Sequence, residues 1–490
     1  MAQVRFVDTT IRDGQQSLWA NNMRTGMILP VAQHMDRAGF EAIELTLVHP
    51  KKIVRELKED PWQRIREVRK RVQDTPLRQV AGRFRAFAVT PRSMYELYIE
   101  RMHANGIRQA RISEEWNQLE GWQFKVGVMR QVGTGPLINL IFSVSPRHTD
   151  EYYAERARQA ITLDPFRLVL KDPGGLLTPE RMRTLVPAIL ANAGGKEVEL
   201  HSHCTTGLGP LNALEAVKLG ITIINVAIPP LANGSSLPNV FNVADNLRAL
   251  GHEAMVDLEV LRPVAEHLTA CARRDGLPIG APVEYDVSQY HHQIPGGMIA
   301  NLRHQLKLVG LEHKVEESLE ECVQVRREFG YPVMVTPLSQ FVGSQAAINV
   351  IVGERYKEVT DQTIHCALGR WGGQEAIEAM DPDVRDKILA RPRARELAAW
   401  EPPEPTRQQL REIYGGPGVD DDELLMRMEV TLDELATMRA AGPPRSYEHL
   451  SAGQPLVTLV AELAKRTNRS FIQIQQDGMS LTLAKRKGIK

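Results

Sequence analysis

Two histidines spaced for one face of a strand, an aspartate just beyond another strand and a lysine at the end of a third are this 490-residue chain's best candidates for chemistry. The pair is His201-Ser202-His203, delivered by Val198-Glu199-Leu200 and followed by Cys204-Thr205-Thr206-Gly207. A strand repeats every two residues, so both imidazoles point the same way and can share one metal ion. One β/α unit earlier, Phe166-Arg167-Leu168-Val169-Leu170 stops at Lys171-Asp172-Pro173-Gly174-Gly175. Near the N-terminus, Val4-Arg5-Phe6-Val7 runs into Asp8-Thr9-Thr10-Ile11-Arg12-Asp13-Gly14-Gln15-Gln16. Asp13, His201 and His203 leave open positions on a Zn²⁺ or Mn²⁺ ion, which can polarise a carbonyl and stabilise an enolate. An ammonium at Lys171 would repel that ion. Either it turns away into an ion pair, or its amine has combined with CO₂ as an anionic, metal-binding carbamate, an outcome that desolvation favours by lowering a lysine pKa. Arg12 and Arg85 can clamp a carboxylate, whose two oxygens match a guanidinium, or can each serve a rim salt bridge. The chemistry these residues permit is metal-assisted carbon–carbon chemistry on an α-keto or related acid.

The elements that must position these residues alternate. Strand patterns cover Val4–Val7, Ala42–Leu47, Arg83–Val89, Arg108–Ile112, Pro136–Val144, Phe166–Leu170, Val198–Leu200 and Ile221–Ile228. Helical patterns lie between them; in one, Asp60-Pro61-Trp62 supplies a cap, a first-turn proline and an apolar face that includes Ile65. Chemistry dispersed over many strand ends suits a (β/α)8 TIM barrel better than an open doubly wound sheet. Beyond residue 255 helical patterns dominate (Leu258–Arg274, Met298–Leu308, Val315–Phe329). The expected α/β architecture is a barrel over 1–255, a mainly α-helical funnel domain over 256–390, a linker and helices over 391–450, and a small C-terminal α/β unit over 451–490. In that last unit Val457–Lys465 reads as a helix, and Phe471–Ile474 with Ser480–Leu483 as a hairpin. Asp420-Asp421-Asp422-Glu423 reads as a solvated helix start rather than a metal site.

Bulk properties exclude several classes. Sixty basic and sixty acidic residues give zero net charge, against a nucleic-acid or membrane-surface binder. No apolar run approaches twenty residues, no secretory leader opens the chain, and the four cysteines form no C-x-x-C pair, so a cytoplasmic globular protein is expected.

The segments around Asp13, Lys171 and His201 resemble the biotin-dependent carboxyltransferases: the carboxyltransferase domain of pyruvate carboxylase, the α subunit of oxaloacetate decarboxylase and the metal-carrying subunit of transcarboxylase. Glu59-Asp60-Pro61-Trp62, Phe84-Arg85, Gln293-Ile294-Pro295-Gly296-Gly297-Met298 and Val335-Thr336-Pro337-Leu338-Ser339-Gln340-Phe341-Val342-Gly343 extend the likeness over roughly residues 3 to 375. The resemblance implies a divalent metal (Zn, Mn or Co) held by Asp13, His201, His203 and a carboxylated Lys171. It implies a keto acid oriented by Arg12, Gln16 and Arg85, carboxybiotin entering near Ser339 and Gln340, and the Thr336 hydroxyl passing a proton between substrate and biotin. No Met-Lys-Met attachment site occurs, so biotin is expected on a separate carrier protein charged by a separate biotin carboxylase, with this chain as a homodimer within the complex.

The sequence departs from the family pattern near the substrate. Arg92 stands where a tyrosine is usual, Ser113-Glu114 replace an aspartate, and Pro173 and Pro229 replace a methionine and an aspartate. Pyruvate or oxaloacetate is the expected substrate class, with room for a bulkier or more acidic acceptor. Two rivals use the same residues: a biotin-independent aldol- or Claisen-type lyase or synthase, which has no use for a carbamate or the Thr336 hydroxyl, and a non-catalytic assembly subunit.

Overall fold

The structure, a computed structural model, describes residues 1–45, 50–81, 90–294, 302–303, 306–307, 310–416, 418–450, 463, 471–476 and 479–484. Eight parallel strands follow one another around a ring: β1 (Gln3–Asp8), β2 (Ala42–Glu44), β3 (Leu77–Val80), β4 (Ile107–Ile112), β5 (Gly135–Ile141), β6 (Arg167–Asp172), β7 (Val198–Ser202) and β8 (Ile223–Val226). The ring closes because β1 pairs on both sides, Asp8 opposite Ile43 of β2 and opposite Val226 of β8. A two-residue strand, β9 (Glu253–Ala254), hangs on the start of β1. The (β/α)8 barrel expected from the strand count is therefore present. Its helices begin as their sequences dictate: the Asp60 carboxylate accepts from the main-chain N–H of Trp62 and Gln63 (2.8 and 3.1 Å) at the head of helix Pro61–Arg69, and Trp62 and Ile65 are fully buried.

The third strand begins ahead of the apolar run expected to form it. It occupies Leu77–Val80, and Arg83–Val89, with Arg85, lies outside the described residues. The reason is the filling of the barrel. Such interiors are usually layered with Val, Ile and Leu, yet among the described residues here Val7, Ala42 and Ile223 form a single small apolar layer. Next to it Arg78 forks onto Glu199 (2.7 and 2.9 Å) and donates to Gln109 (2.9 and 3.1 Å). Arg111 grips Glu44 (2.6 and 2.7 Å), while Arg167 ties Glu199 (3.4 Å) to Glu41 and Glu197 nearer the strand starts. Arg78, Arg111, Glu44 and Glu199 are all 0% exposed, and buried charges persist only when matched in this way. A strand whose inward residue is an arginine offers no hydrophobic run to find.

A second apolar core lies beyond the barrel. Helices Val315–Glu328 and Leu338–Val352 pack through Cys322, Val325, Phe341 and Ala346, joined by Ile364 and Ile388. The chain then returns: helices Arg407–Tyr414, Asp421–Arg427 and Leu432–Ala440 send Leu410, Leu424, Leu425 and Met438 into the barrel's own core. Asp420 caps the second of these through the Glu423 N–H (2.8 Å), so the acidic run is a helix start, but Asp422 is anchored by Arg66 and Arg101 (2.7 Å each) rather than solvated. A two-stranded antiparallel sheet, β10 (Phe471–Gln476) and β11 (Met479–Ala484), stands in the expected hairpin position; apart from Leu463, the helix expected over Val457–Lys465 lies outside the described residues. All four cysteines are free and buried, and no helix among the described residues is long and apolar enough to cross a membrane.

Candidate active site

Asp13, His201 and His203 meet at the C-terminal end of the barrel. Asp13 is set by a tight turn over Thr10–Gly14, in which the Thr9 carbonyl accepts from the main-chain N–H of Asp13 and Gly14 (2.8 and 3.0 Å). Gly14 is needed there because a Cβ would meet the Leu231 carbonyl at 2.8 Å. On the other side, Asp172 accepts from the N–H of Leu176 and Leu177 and the hydroxyl of Ser202 (2.8–2.9 Å), closing the Lys171–Gly175 turn against β7. Gly175 has φ +64°, and its Cα lies so near His203 that a Cβ would sit 2.8 Å from that carbonyl.

The Asp13 carboxylate faces both imidazoles, with Oδ2 3.1 Å from His201 Nε2 and Oδ1 3.6 Å from His203 Nε2. Burial opposes its charge, but Arg12, paired directly with it, His203 and hydrogen bonds from both histidines outweigh that and hold its carboxyl well below the usual range. The other ring nitrogens are held from behind. His203 Nδ1 donates to the Ser235 carbonyl (2.7 Å). His201 Nδ1 lies between the Asn225 side-chain oxygen (3.0 Å) and the Arg111 guanidinium (3.2 Å), while Asn225 spends its amide N–H on Glu199 (3.2 Å). Burial and the nearby Arg111 keep His201 neutral, its pKa well below the ordinary value. Both Nε2 atoms face the Asp13 carboxylate, which is 5% exposed. Two imidazole nitrogens and a carboxylate, all within 4.8 Å of one another, fit a divalent cation.

Lys171 ends β6 beside this group, 7% exposed. It makes no ion pair among the described residues, and its amine contacts the Ser113 hydroxyl at 3.4 Å. Burial, then Arg12 and Arg111, bring its pKa down to about 7, so the free amine that would combine with CO₂ is accessible near neutrality. Arg12 is 7% exposed, and its Nε is a buried donor without a partner. Gln16 is exposed one turn beyond Asp13. Thr336, Ser339 and Gln340 stand on a different element: Thr336 is exposed before a cis peptide to Pro337, and Ser339 is fully buried with an unpartnered hydroxyl on helix Leu338–Val352. No hydrogen bond or ion pair among the described residues joins these three to the Asp13 group.

Arg92 does not lie by the substrate as the family pattern suggested. It begins helix Arg92–Ala104 on the outer layer, its guanidinium 5.0 Å above the Phe124 ring and its main-chain N–H bonded to Glu404 (2.8 Å). Conversely, Arg111, Glu44 and Asn225 support His201 without having been singled out. For Arg111 a signal was available: Gln109, Arg111 and Ser113 recur every second residue, a polar stripe aimed inward.

Comparison with known proteins places this geometry in context. The model of the HMGL-like family matches residues 3–268, and that of a conserved carboxylase domain matches residues 290–432. The chain is 34% identical to a pyruvate carboxylase subunit of Methanocaldococcus jannaschii over 395 residues, 79% of this chain and 68% of that protein. It is 30% identical to the 2-oxoglutarate carboxylase large subunit of Hydrogenobacter thermophilus over 434 residues, 86% of this chain and 66% of that one. The carboxyl transferase domain of Rhizobium etli pyruvate carboxylase, solved with pyruvate, superposes with a TM-score of 0.81 at 21% identity, covering 99% of this chain and 84% of that one, a likeness of fold.

Proposed function

Since the chain belongs to the HMGL-like family and, within it, to the biotin-dependent carboxyltransferases, we propose that it moves CO₂ between carboxybiotin on a separate carrier protein and a small keto acid of the pyruvate or oxaloacetate kind. The observation that carries this reading is the convergence of Asp13, His201 and His203 in one buried site, with both Nε2 atoms facing the Asp13 carboxylate. Asp13, His201, His203 and a carboxylated Lys171 would hold a Zn, Mn or Co ion, which when bound supplies Lewis-acid polarisation of a keto oxygen.

The protein's own residues do the rest. Arg12, with an unused buried N–H, takes a carboxylate of the acid together with Gln16 and Arg85. Ser339 and Gln340 receive the carrier's ring, Ser339 with a buried hydroxyl free to bond it. Thr336 Oγ1 accepts a proton from one partner while giving its own to the other, a relay that needs no shifted pKa. A biotin carboxylase, a biotin carboxyl carrier protein and a second copy of this chain complete the assembly, in the cytoplasm. The conserved carboxylase match over 290–432, beyond the barrel, favours this over a biotin-independent lyase or synthase.

The test is carboxyl transfer assayed with a carboxybiotin-loaded carrier, beside elemental analysis of the purified chain. Asp13→Ala and His201→Ala are expected to lose a near-stoichiometric divalent ion, and Lys171→Ala and Thr336→Ala to lose about 10²-fold or more in transfer. Transfer unaffected by the Lys171 and Thr336 changes would favour the lyase or synthase.

A further inference from the structure

Three neighbouring strands bring an unassigned pair of polar side chains to Lys171. Ser113 follows the last residue of β4, Asn139 lies in β5 and Lys171 in β6, with Ile112 opposite Ile138 and Ile141 opposite Lys171. Asn139 is 0% exposed within the apolar run Leu137-Ile138-Asn139-Leu140-Ile141. Its Nδ2 donates to Ser113 Oγ at 2.8 Å, and Ser113 Oγ lies 3.4 Å from Lys171 Nζ. Asn139 Oδ1 is buried with no hydrogen-bond partner among the described residues. A buried amide held at one end only is costly to keep. Joining β4 to β5 does not account for it, because the backbone ladder between those strands already does so.

The unused capacity has a definite character. With the Asn139 N–H directed into Ser113 Oγ, the serine proton is left to donate, and Asn139 Oδ1 is left to accept. A lysine carbamate offers the complement: two anionic oxygens that accept and one N–H that donates. An ammonium offers no acceptor at all. Resting on the reading of Lys171 as carboxylated, we propose that Ser113 and Asn139 are positioning residues that seat the Lys171 carbamate. In forming it, the Nζ lone pair attacks the carbon of CO₂, one C=O π pair moves onto oxygen, and an N–H proton leaves to solvent, giving the N-linked carboxylate. The Ser113 hydroxyl then bonds a carbamate oxygen, a charge-assisted contact that favours the carboxylated form. The half-buried position of Ser113 leaves it open to CO₂ arriving from the barrel mouth, with Asn139 behind it.

The full-length protein, incubated with divalent metal and ¹³C-labelled bicarbonate, reports the carbamate carbon directly by ¹³C NMR. The quantity read is the bicarbonate concentration giving half-maximal signal, for wild type, Ser113→Ala, Ser113→Thr and Asn139→Leu. Ser113→Ala and Asn139→Leu are expected to need about tenfold more bicarbonate, and Ser113→Thr, which keeps the hydroxyl, to stay within about twofold of wild type. Ser113→Ala removes only a hydroxyl at a half-exposed position, so it decides the matter should Asn139→Leu fail to fold. Wild-type bicarbonate dependence in Ser113→Ala would overturn the assignment while leaving the carbamate standing. A wild-type protein with no carbamate signal would overturn the carbamate reading and the seat with it.

Discussion

Arg78 meets both oxygens of Glu199 with neither side chain exposed, so removing one partner strands the other charge in the barrel. Arg78→Met is expected to destabilise the protein by about 3–5 kcal/mol, and Arg78→Met with Glu199→Leu by less than the two single changes together, as urea midpoints would show. Glu114 makes a second prediction. Burial, and then the neighbouring Glu115, raise its pKa to about 7 although it accepts from the N–H of Trp116 and Gln118. The folded state therefore holds that proton more tightly than the unfolded one. Stability falls as pH rises from the ordinary carboxylate range through 7, and the penalty is complete above it. Glu114→Gln, which can still accept both N–H bonds, is expected to melt higher than wild type at pH 8 and to lose that advantage by pH 5. Asp13, His201 and His203 were legible at this scale because their pattern is local, a turn after one strand and alternate positions on another. Glu44 and Asn225 were not, since a lone polar residue inside a strand looks like a break in it until its partner across the barrel is known.

Among elements, the same effect concealed the start of β3. Its inward residue, Arg78, hid it, whereas β5 and β6, with longer apolar runs, are legible to within a few residues at their ends. Helix starts read well wherever the cap is local, as at Asp60. Thr178, which accepts from the Arg181 N–H (3.1 Å) before helix Pro179–Ala191, is of that kind, and Thr178→Ala is expected to cost about 1 kcal/mol, seen as a lowered melting temperature. Contacts between distant elements left no local trace. Gly372 has φ +104°, and a Cβ on it would sit 2.3 Å from the Trp116 ring that follows β4, while Gln118 donates to the Gly372 carbonyl (2.8 Å). Gly372→Ala is expected to loosen that junction, giving faster amide exchange in helices Asp361–Ala367 and Gly373–Ala379 with the metal content unchanged.

For the whole molecule, the chain from 407 to 447 clasps the barrel. Tyr447 is fully buried, and the Arg445 carbonyl lies where a Cβ on Gly26 would be, at 1.8 Å. Asp422 gathers Arg66, Arg101 and Asn105. Gly26→Val or Asp422→Ala is expected to release this segment, so that brief proteolysis cuts within 407–447 in the variants and not in wild type. The interlocked arginines and glutamates along the barrel axis have a consequence for traffic. Among the described residues they plug the tube from below, so a small acid seated on the two histidines would come and go by the upper rim alone.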